Sequence, residues 1–247
     1  MTSPAHGTLR FVHGWAFDAS VWLALREALH ALLPGWRHEV HDAGYFGTPA
    51  AANPADTLAD PRRAAEAEPV IAIGHSLGAL TLLTGPAPGC AGLVMINGFT
   101  RFSAHDSFPD GVPARVLDRM LARLGRDPSA TVSEFRARCL ASSAPRHLDV
   151  SRLTADLQRL RDEDGRSALL RCTYPIRLLA GQDDPIATPA MTRAAGIADT
   201  HWHPDGHLLP LTAAQWCAQR IRDFALVAAA RAGTSTDRAP TSQEKSR

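Results

Sequence analysis

The sequence predicts an α/β protein: a mostly parallel sheet flanked by helices, with a helical segment inserted between two of its strands. Three observations carry this. Short apolar runs of strand length alternate with amphipathic helical patterns in the N-terminal and C-terminal parts of the chain, the rhythm of a parallel sheet covered on both faces. Between residues 99 and 172 the rhythm breaks and only helical periodicity remains. Finally, Val70-Ile71-Ala72-Ile73 runs directly into Gly74-His75-Ser76-Leu77-Gly78 and on into the apolar, helix-compatible stretch Ala79 to Leu83. That is a buried strand, a sharp turn, and a helix whose N-terminus faces whatever the turn presents. Gly74 and Gly78 are expected where strand and helix approach too closely for a side chain.

Thr8 to His13 reads as the first strand and ends in His13-Gly14-Trp15. Asp18 or Ser20 caps a helix reaching Leu33, with Val21, Leu25, Leu29 and Leu32 on one face and Pro34-Gly35 as its stop. His38 to Asp42 is a weaker strand, Thr48 to Pro61 is loop-like, and a short helix is expected around Pro61 to Ala67. Gly92 to Asn97 is the next buried strand. In the insert, Val116, Leu117, Met120, Leu121 and Leu124 share a helical face, as do Val132, Phe135, Cys139 and Leu140. The sheet resumes at Ile176 to Ala180, a helix from Pro189 to Ala195 leads to a strand at Thr200 to His203, and a terminal helix runs from about Leu211 to Arg231. The expected organisation is a core of residues 1–98 and 173–232, a helical cap of 99–172 at the carboxyl end of the sheet, and a disordered polar tail, 233–247.

A chain of 247 residues suffices for one α/β domain with an insertion. Its 45% hydrophobic and 21% charged residues are ordinary for a globular protein, and a formal charge of +1 gives no reason to expect a nucleic-acid partner. Cys90, Cys139, Cys172 and Cys217 form no C-x-x-C pair and read as reduced core residues, so neither a disulfide framework nor a metal site is expected. Met1 to Gly7 shows no basic-then-apolar signal, and no apolar run is long enough to span a bilayer. A soluble, cytoplasmic monomer without membrane partners is expected.

The chemistry follows from Ser76. Acyl transfer by a serine needs a base to take its proton and an acid to orient the base. Both are expected at carboxyl ends of later strands, in the order Ser, Asp or Glu, His. Asp183 and Asp184 follow the Ile176 strand, and His207 follows the last strand directly after Pro204-Asp205-Gly206. Asp184 is the expected acid because it stands three residues after Gly181 and is followed by Pro185-Ile186, a G-x-x-D-x-I turn; Asp183 then has a turn or capping role. His203 reads as a strand residue facing the sheet surface or solvent, and His75 as a structural residue pointing away from the base. The oxyanion formed on attack needs two backbone N–H donors, expected from Leu77, after the nucleophile, and from Trp15, in the loop after the first strand. No cofactor is required.

These motifs identify the chain as resembling the α/β-hydrolase superfamily over nearly its whole length. A closer resemblance rests on Phe11-Val12-His13-Gly14-Trp15-Ala16-Phe17-Asp18 with Val21-Trp22, and on Phe102-Ser103-Ala104-His105-Asp106-Ser107-Phe108-Pro109 with Gly111-Val112-Pro113. Together these are similar to the pimeloyl-[acyl-carrier protein] methyl ester esterases of biotin synthesis. The resemblance implies hydrolysis of a carrier-bound methyl ester with release of methanol. It places the nucleophile on Ser76, the acid on Asp184, the base on His207, the oxyanion contacts on Trp15 and Leu77, and a channel-lining residue on Phe135. The cap departs from that family in being shorter somewhere between Ala141 and Leu153, and Glu134 stands where a basic residue would suit a carrier protein. Arginines from Arg101 to Arg171 outnumber carboxylates 13 to 10. Arg136, Arg138, Arg152 and Arg159 are therefore candidate contacts for an acidic acyl carrier protein, or an ordinary solvated face. The alternatives are a carboxylesterase acting on small free esters and a non-catalytic ligand-binding protein of the same fold; the intact Ser, Asp, His order argues against the second.

Overall fold

The computed structural model describes residues 6–47, 68–142 and 145–236. Among these residues six strands form one parallel sheet: β1 (Thr8–Val12), β2 (Arg37–His41), β3 (Val70–His75), β4 (Cys90–Ile96), β5 (Ile176–Gly181) and β6 (Thr200–His203), in the spatial order β2-β1-β3-β4-β5-β6. Parallel neighbours need crossovers, so helices cover both faces and the central strands are apolar on both sides. Along β4 the side chains alternate as the pleat requires: Val94 and Ile96 join one buried cluster with Leu9, Phe11, Ile73 and Leu179, while Leu93 and Met95 join another with Leu178 and Ala180.

The first face is covered by α1 (Leu23–Leu32), which buries Leu25, Ala28 and Leu29 and packs beside the terminal helix. A single 3-10 turn, Ala19–Trp22, leads into α1, and Asp18 caps it by accepting from the Ser20 N–H at 2.9 Å. The opposite face is covered by α2 (Leu77–Thr84), whose Ala79, Leu82 and Leu83 are buried among Leu93, Met95 and Leu178. The strand order reverses between β1, whose chain continues to β2 on one side, and β3 on its other side. At such a switch point the loops leave in opposite directions, opening a crevice at the carboxyl ends of the strands.

The expected break in rhythm is real. Between β4 and β5 lie four helices, α3 (Ala114–Arg126), α4 (Pro128–Arg138), α5 (Val150–Asp162) and α6 (Arg166–Arg171), and this stretch adds only isolated bridges to the strand pairing. Asp127 caps α4 and Asp149 caps α5 through their carboxylates. The insert is tied to the core at several points. The Trp15 indole donates to the Leu153 carbonyl at 2.8 Å, the Asp149 N–H to the Tyr45 carbonyl at 2.7 Å, and Arg159 to the Thr81 hydroxyl at 3.0 Å.

After β5 come α7 (Pro189–Ala194), the single turn α8 (Leu209–Thr212) and α9 (Ala214–Thr236). The last helix extends beyond Arg231 to Thr236, so residues 233–236 of the expected disordered tail are helical: the apolar face that docks α9 carries the helix past its last buried residues. The rest of that tail, the loop expected at Thr48 to Pro61 and the helix expected at Pro61 to Ala67 lie outside the described residues. All four cysteines are free thiols, and burial pushes Cys139 up to about 12. No helix among the described residues is long and apolar enough to cross a membrane.

Candidate active site

Ser76 lies between β3 and α2 with φ +53° and ψ −120°, a strained backbone for a residue with a Cβ. The strain is maintained from both sides. An added Cβ at Gly74 would stand 2.4 Å from Ala79 Cα, and one at Gly78 would stand 2.1 Å from the Val12 carbonyl oxygen. The turn is therefore wedged against the end of β1, as the two glycines predict, and Ser76 projects at the switch point.

Gly14 closes the other side of the crevice; a Cβ there would meet Ser76 Cβ at 2.8 Å. His13 holds this loop. Its Nε2 accepts from the Ala43 N–H at 2.9 Å, so Nδ1 carries the proton and donates to the Gly14 carbonyl at 2.9 Å. In a trans peptide C=O and N–H point opposite ways, so anchoring the Gly14 carbonyl turns the Trp15 N–H to the other side of the plane. Neither the Trp15 nor the Leu77 N–H makes a hydrogen bond among the described residues. The positioning part played by His13 is one that reading His13-Gly14-Trp15 for its amides alone misses.

At the carboxyl end of β5, Asp184 is buried, and its Oδ1 accepts the N–H groups of Ile186 at 2.8 Å and Ala187 at 3.0 Å. His207, also buried, brings Nδ1 to 2.8 Å from Asp184 Oδ2. Since a carboxylate accepts, Nδ1 bears the proton and Nε2 a free lone pair; Nε2 is buried with no hydrogen-bond partner among the described residues. Asp183 is exposed, and its N–H donates to the Asp205 carbonyl. His203 stays away from the site, its ring 5.0 Å from Trp216.

His75 departs from expectation. Instead of pointing away, its ring centre lies 4.9 Å from that of His207, and its Nε2 donates to the His207 carbonyl at 2.9 Å. From the end of β3 the His75 side chain lies against the loop that carries His207. Burial first, and the neighbouring His207 second, push the His75 pKa well down, keeping it the neutral donor this bond needs.

Above the sheet edge lies a cavity of about 320 Å³, lined mainly by apolar side chains including Trp15, Phe102, Leu117, Phe135, Leu157 and Ile186. Phe135 comes from the insert and packs edge-on to Trp15 at 4.9 Å. Trp15 and Ile186 join the cavity to the site, since one follows Gly14 and the other donates its N–H to Asp184. All four arginines considered for a carrier protein make hydrogen bonds within the chain. Arg136 donates to the Ala16 and Ser142 carbonyls, Arg152 to Asp149 and the Ala43 carbonyl, and Arg159 to Asp156, Glu163 and Thr81. Arg138 donates to the Pro185 carbonyl at 3.2 Å and lies at the cavity, beside a groove that it lines with Arg119, Arg123 and Arg126. No group of three or more His, Cys, Asp or Glu among the described residues could hold a metal ion.

An all-parallel sheet with a strained serine turn at its switch point and a buried, Asp-bound histidine after its last strand is the architecture of one large group of proteins. Residues 11–220 match the alpha/beta hydrolase family, and the chain belongs to it. Within that family it is similar to the pimeloyl-[acyl-carrier protein] methyl ester esterase of Stenotrophomonas maltophilia, 28% identical over 211 residues that cover 76% of this chain and 78% of the relative. The enzyme of the same name from Yersinia pseudotuberculosis is 28% identical over 220 residues, covering 78% and 80%. Among solved structures, an esterase from Exiguobacterium antarcticum superposes with a TM-score of 0.71 at 17% identity, covering 88% of this chain and 91% of that one. An enol-lactonase from Burkholderia xenovorans gives 0.62 at 19% identity, covering 90% and 92%; at such identities the likeness is one of fold.

Proposed function

We propose that this chain is a serine carboxylester hydrolase in which Ser76 is the nucleophile, His207 the base and Asp184 the acid, and that it cleaves the methyl ester of pimeloyl-[acyl-carrier protein]. The observation that carries the hydrolase reading is the tautomer of His207: Nδ1–H on Asp184 and a bare, buried Nε2 at the edge where Ser76 projects. Nε2 takes the Ser76 proton as Oγ attacks the ester carbonyl, and the oxyanion is met by the Trp15 and Leu77 N–H groups. Collapse breaks the ester C–O bond, His207 returns the proton to the departing methoxide, and methanol leaves. Water then gives a proton to His207 and its oxygen to the acyl carbon, and Ser76 recovers its proton. Asp184 stabilises the imidazolium formed in each half.

The helical insert, residues 99–172, acts as a cap over the core formed by 1–98 and 173–232. Its Phe135 and the core's Trp15 form walls along which the methylene chain lies, excluding water from all but the reacting end. The methyl ester reading is supported by the similarity to the two named esterases and by the apolar cavity. The internal engagement of Arg136, Arg152 and Arg159 favours a second reading, a carboxylesterase acting on small free esters without a carrier.

A growth test separates them. Wild type and Ser76→Ala are expressed near native levels in a bacterium lacking its own pimeloyl-carrier methyl esterase, and growth without biotin is recorded. Growth with wild type alone is the expected result. A soluble wild type that cleaves p-nitrophenyl acetate yet does not restore growth overturns the carrier-bound substrate and leaves the general carboxylesterase.

A further inference from the structure

Asn97 stands one residue past β4, next to the strand that leads to Asp184, and its backbone N–H extends the ladder by donating to the Leu179 carbonyl at 2.8 Å. Its φ is +49°, a left-handed conformation that Asn tolerates better than most side chains. The side chain is buried, and Nδ2 donates both to Asp184 Oδ2 at 2.8 Å and to the Gly206 carbonyl at 3.2 Å. Both partners only accept, so the amide has one possible orientation; turned over, Oδ1 would face a carboxylate and a carbonyl. Oδ1 is itself buried with no hydrogen-bond partner among the described residues. Packing alone would be better served by an apolar residue, since an orphaned buried oxygen is costly.

We propose that Asn97 is a positioning residue, one amide group that holds the acid and the base loop at a fixed separation and so keeps the His207 ring in its working orientation. The inference rests on the assignment of Ser76, Asp184 and His207 above. Asp184 Oδ1 is fixed by two backbone N–H groups and also lies 3.0 Å from His207 Nδ1, whereas the shorter contact, at 2.8 Å, is to Oδ2, whose partners among the described residues are His207 and Asn97. Without Asn97, Oδ2 would be located only by the imidazole it has to orient. The second Asn97 bond acts on the base directly, because Gly206 is joined to His207 by a single peptide. The loop also lies flat on the end of β5: a Cβ added at Gly181 would stand 2.5 Å from the Gly206 carbonyl oxygen. Asn97 and Gly181 thus confine it from two sides.

The test is steady-state hydrolysis of a p-nitrophenyl ester by the full chain, with Asn97→Gly, Asn97→Asp and the control Asp184→Asn. Asn97→Gly keeps the left-handed backbone and removes the donor. Its kcat is expected to fall about tenfold or more, the range of a lost hydrogen bond to a charged group, with KM within about twofold because the cavity walls are untouched. Asn97→Asp is nearly isosteric and sets a second carboxylate beside Asp184, which favours the His207 imidazolium; the acidic limb of kcat/KM moves to higher pH. A merely structural role would lower thermal stability while leaving kcat of the folded Asn97→Gly at the wild-type value, and that outcome overturns the proposal. If Asn97→Gly does not fold, Asn97→Ser takes its place: its hydroxyl is too short to reach both acceptors, so kcat is expected to fall in the same way, and an unchanged kcat overturns the proposal. Full activity in Asp184→Asn would sink the assignment of the acid and this inference together; loss there with wild-type behaviour in both Asn97 variants sinks only the inference.

Discussion

Ser76 and His207 reach the same sheet edge by different physical means. Ser76 is held by backbone geometry: a left-handed turn between β3 and α2, with Gly78 pressed on the Val12 carbonyl and Gly14 against the serine itself. His207 is held by side-chain hydrogen bonds that converge from three other parts of the chain, Asp184 on its ring, His75 on its carbonyl and Asn97 on the carbonyl before it. The Ser76 side is enforced by sterics, which respond to a substitution all at once. The His207 side is a sum of polar contacts, each of which can be weakened separately.

The largest effect tests the reaction common to both sides. Ser76→Ala should lower kcat by about 10⁴-fold or more while leaving thermal unfolding near wild type, measured with a p-nitrophenyl ester. Retained turnover would remove the serine from the chemistry. Next, Gly78→Ala should cost about 3 kcal/mol, because its Cβ can be accommodated only by moving backbone at the end of β1. A denaturant midpoint equal to wild type would break the claim that sterics hold the nucleophile. On the base side a graded loss is expected: His75→Phe keeps an aromatic ring and removes one neutral hydrogen bond, worth about 1 kcal/mol, so kcat should fall roughly tenfold or less. An all-or-none collapse would show that the base loop is as rigidly specified as the elbow.

The smallest effect is on stability against pH. Burial pushes His41 and His38 down to about 4, with His13 adding to the effect at His41 and His30 and Arg26 at His38. Their folded-state values lie below the unfolded value of 6.5, so the unfolded chain takes up protons that the fold resists. Stability is complete above that value and is lost as the pH falls from it towards 4. The melting temperature should therefore drop between pH 7 and pH 5, and His41→Asn should reduce the drop. A flat profile would contradict the burial of these rings.

The elements that could be read directly from the sequence were those governed by local rules. Strands β1, β3, β4, β5 and β6 lie where apolar runs of strand length place them, β2 starts at Arg37 instead of His38, and the insert carries helices where its apolar residues repeat at helical spacing. Helix α5 obeys the same local rule, with Asp149 as its cap and Leu153, Leu157 and Leu160 at helical spacing, although the expectation there went no further than a helical insert; α6 and the extension of α9 carry no comparable pattern. Asn97 was hidden for a related reason. It reads as the last residue of the strand Gly92 to Asn97, and nothing adjacent to it announces a carboxylate 87 residues away. His75 shows the same limit, because the loop that packs against it lies 132 residues further along the chain and no neighbouring residue announces it.

By itself the sequence determined the class of fold, the strained serine turn and the order in which Ser76, Asp184 and His207 follow its strands, since apolar periodicity, close-approach glycines and motif order are properties of neighbouring residues. Only the tertiary structure decided which groups hold the base loop, which arginines are already engaged, and how the insert closes the cavity. Those depend on hydrogen bonds between segments far apart in the chain, and a polar side chain records no preference for a distant partner until the fold brings the two together.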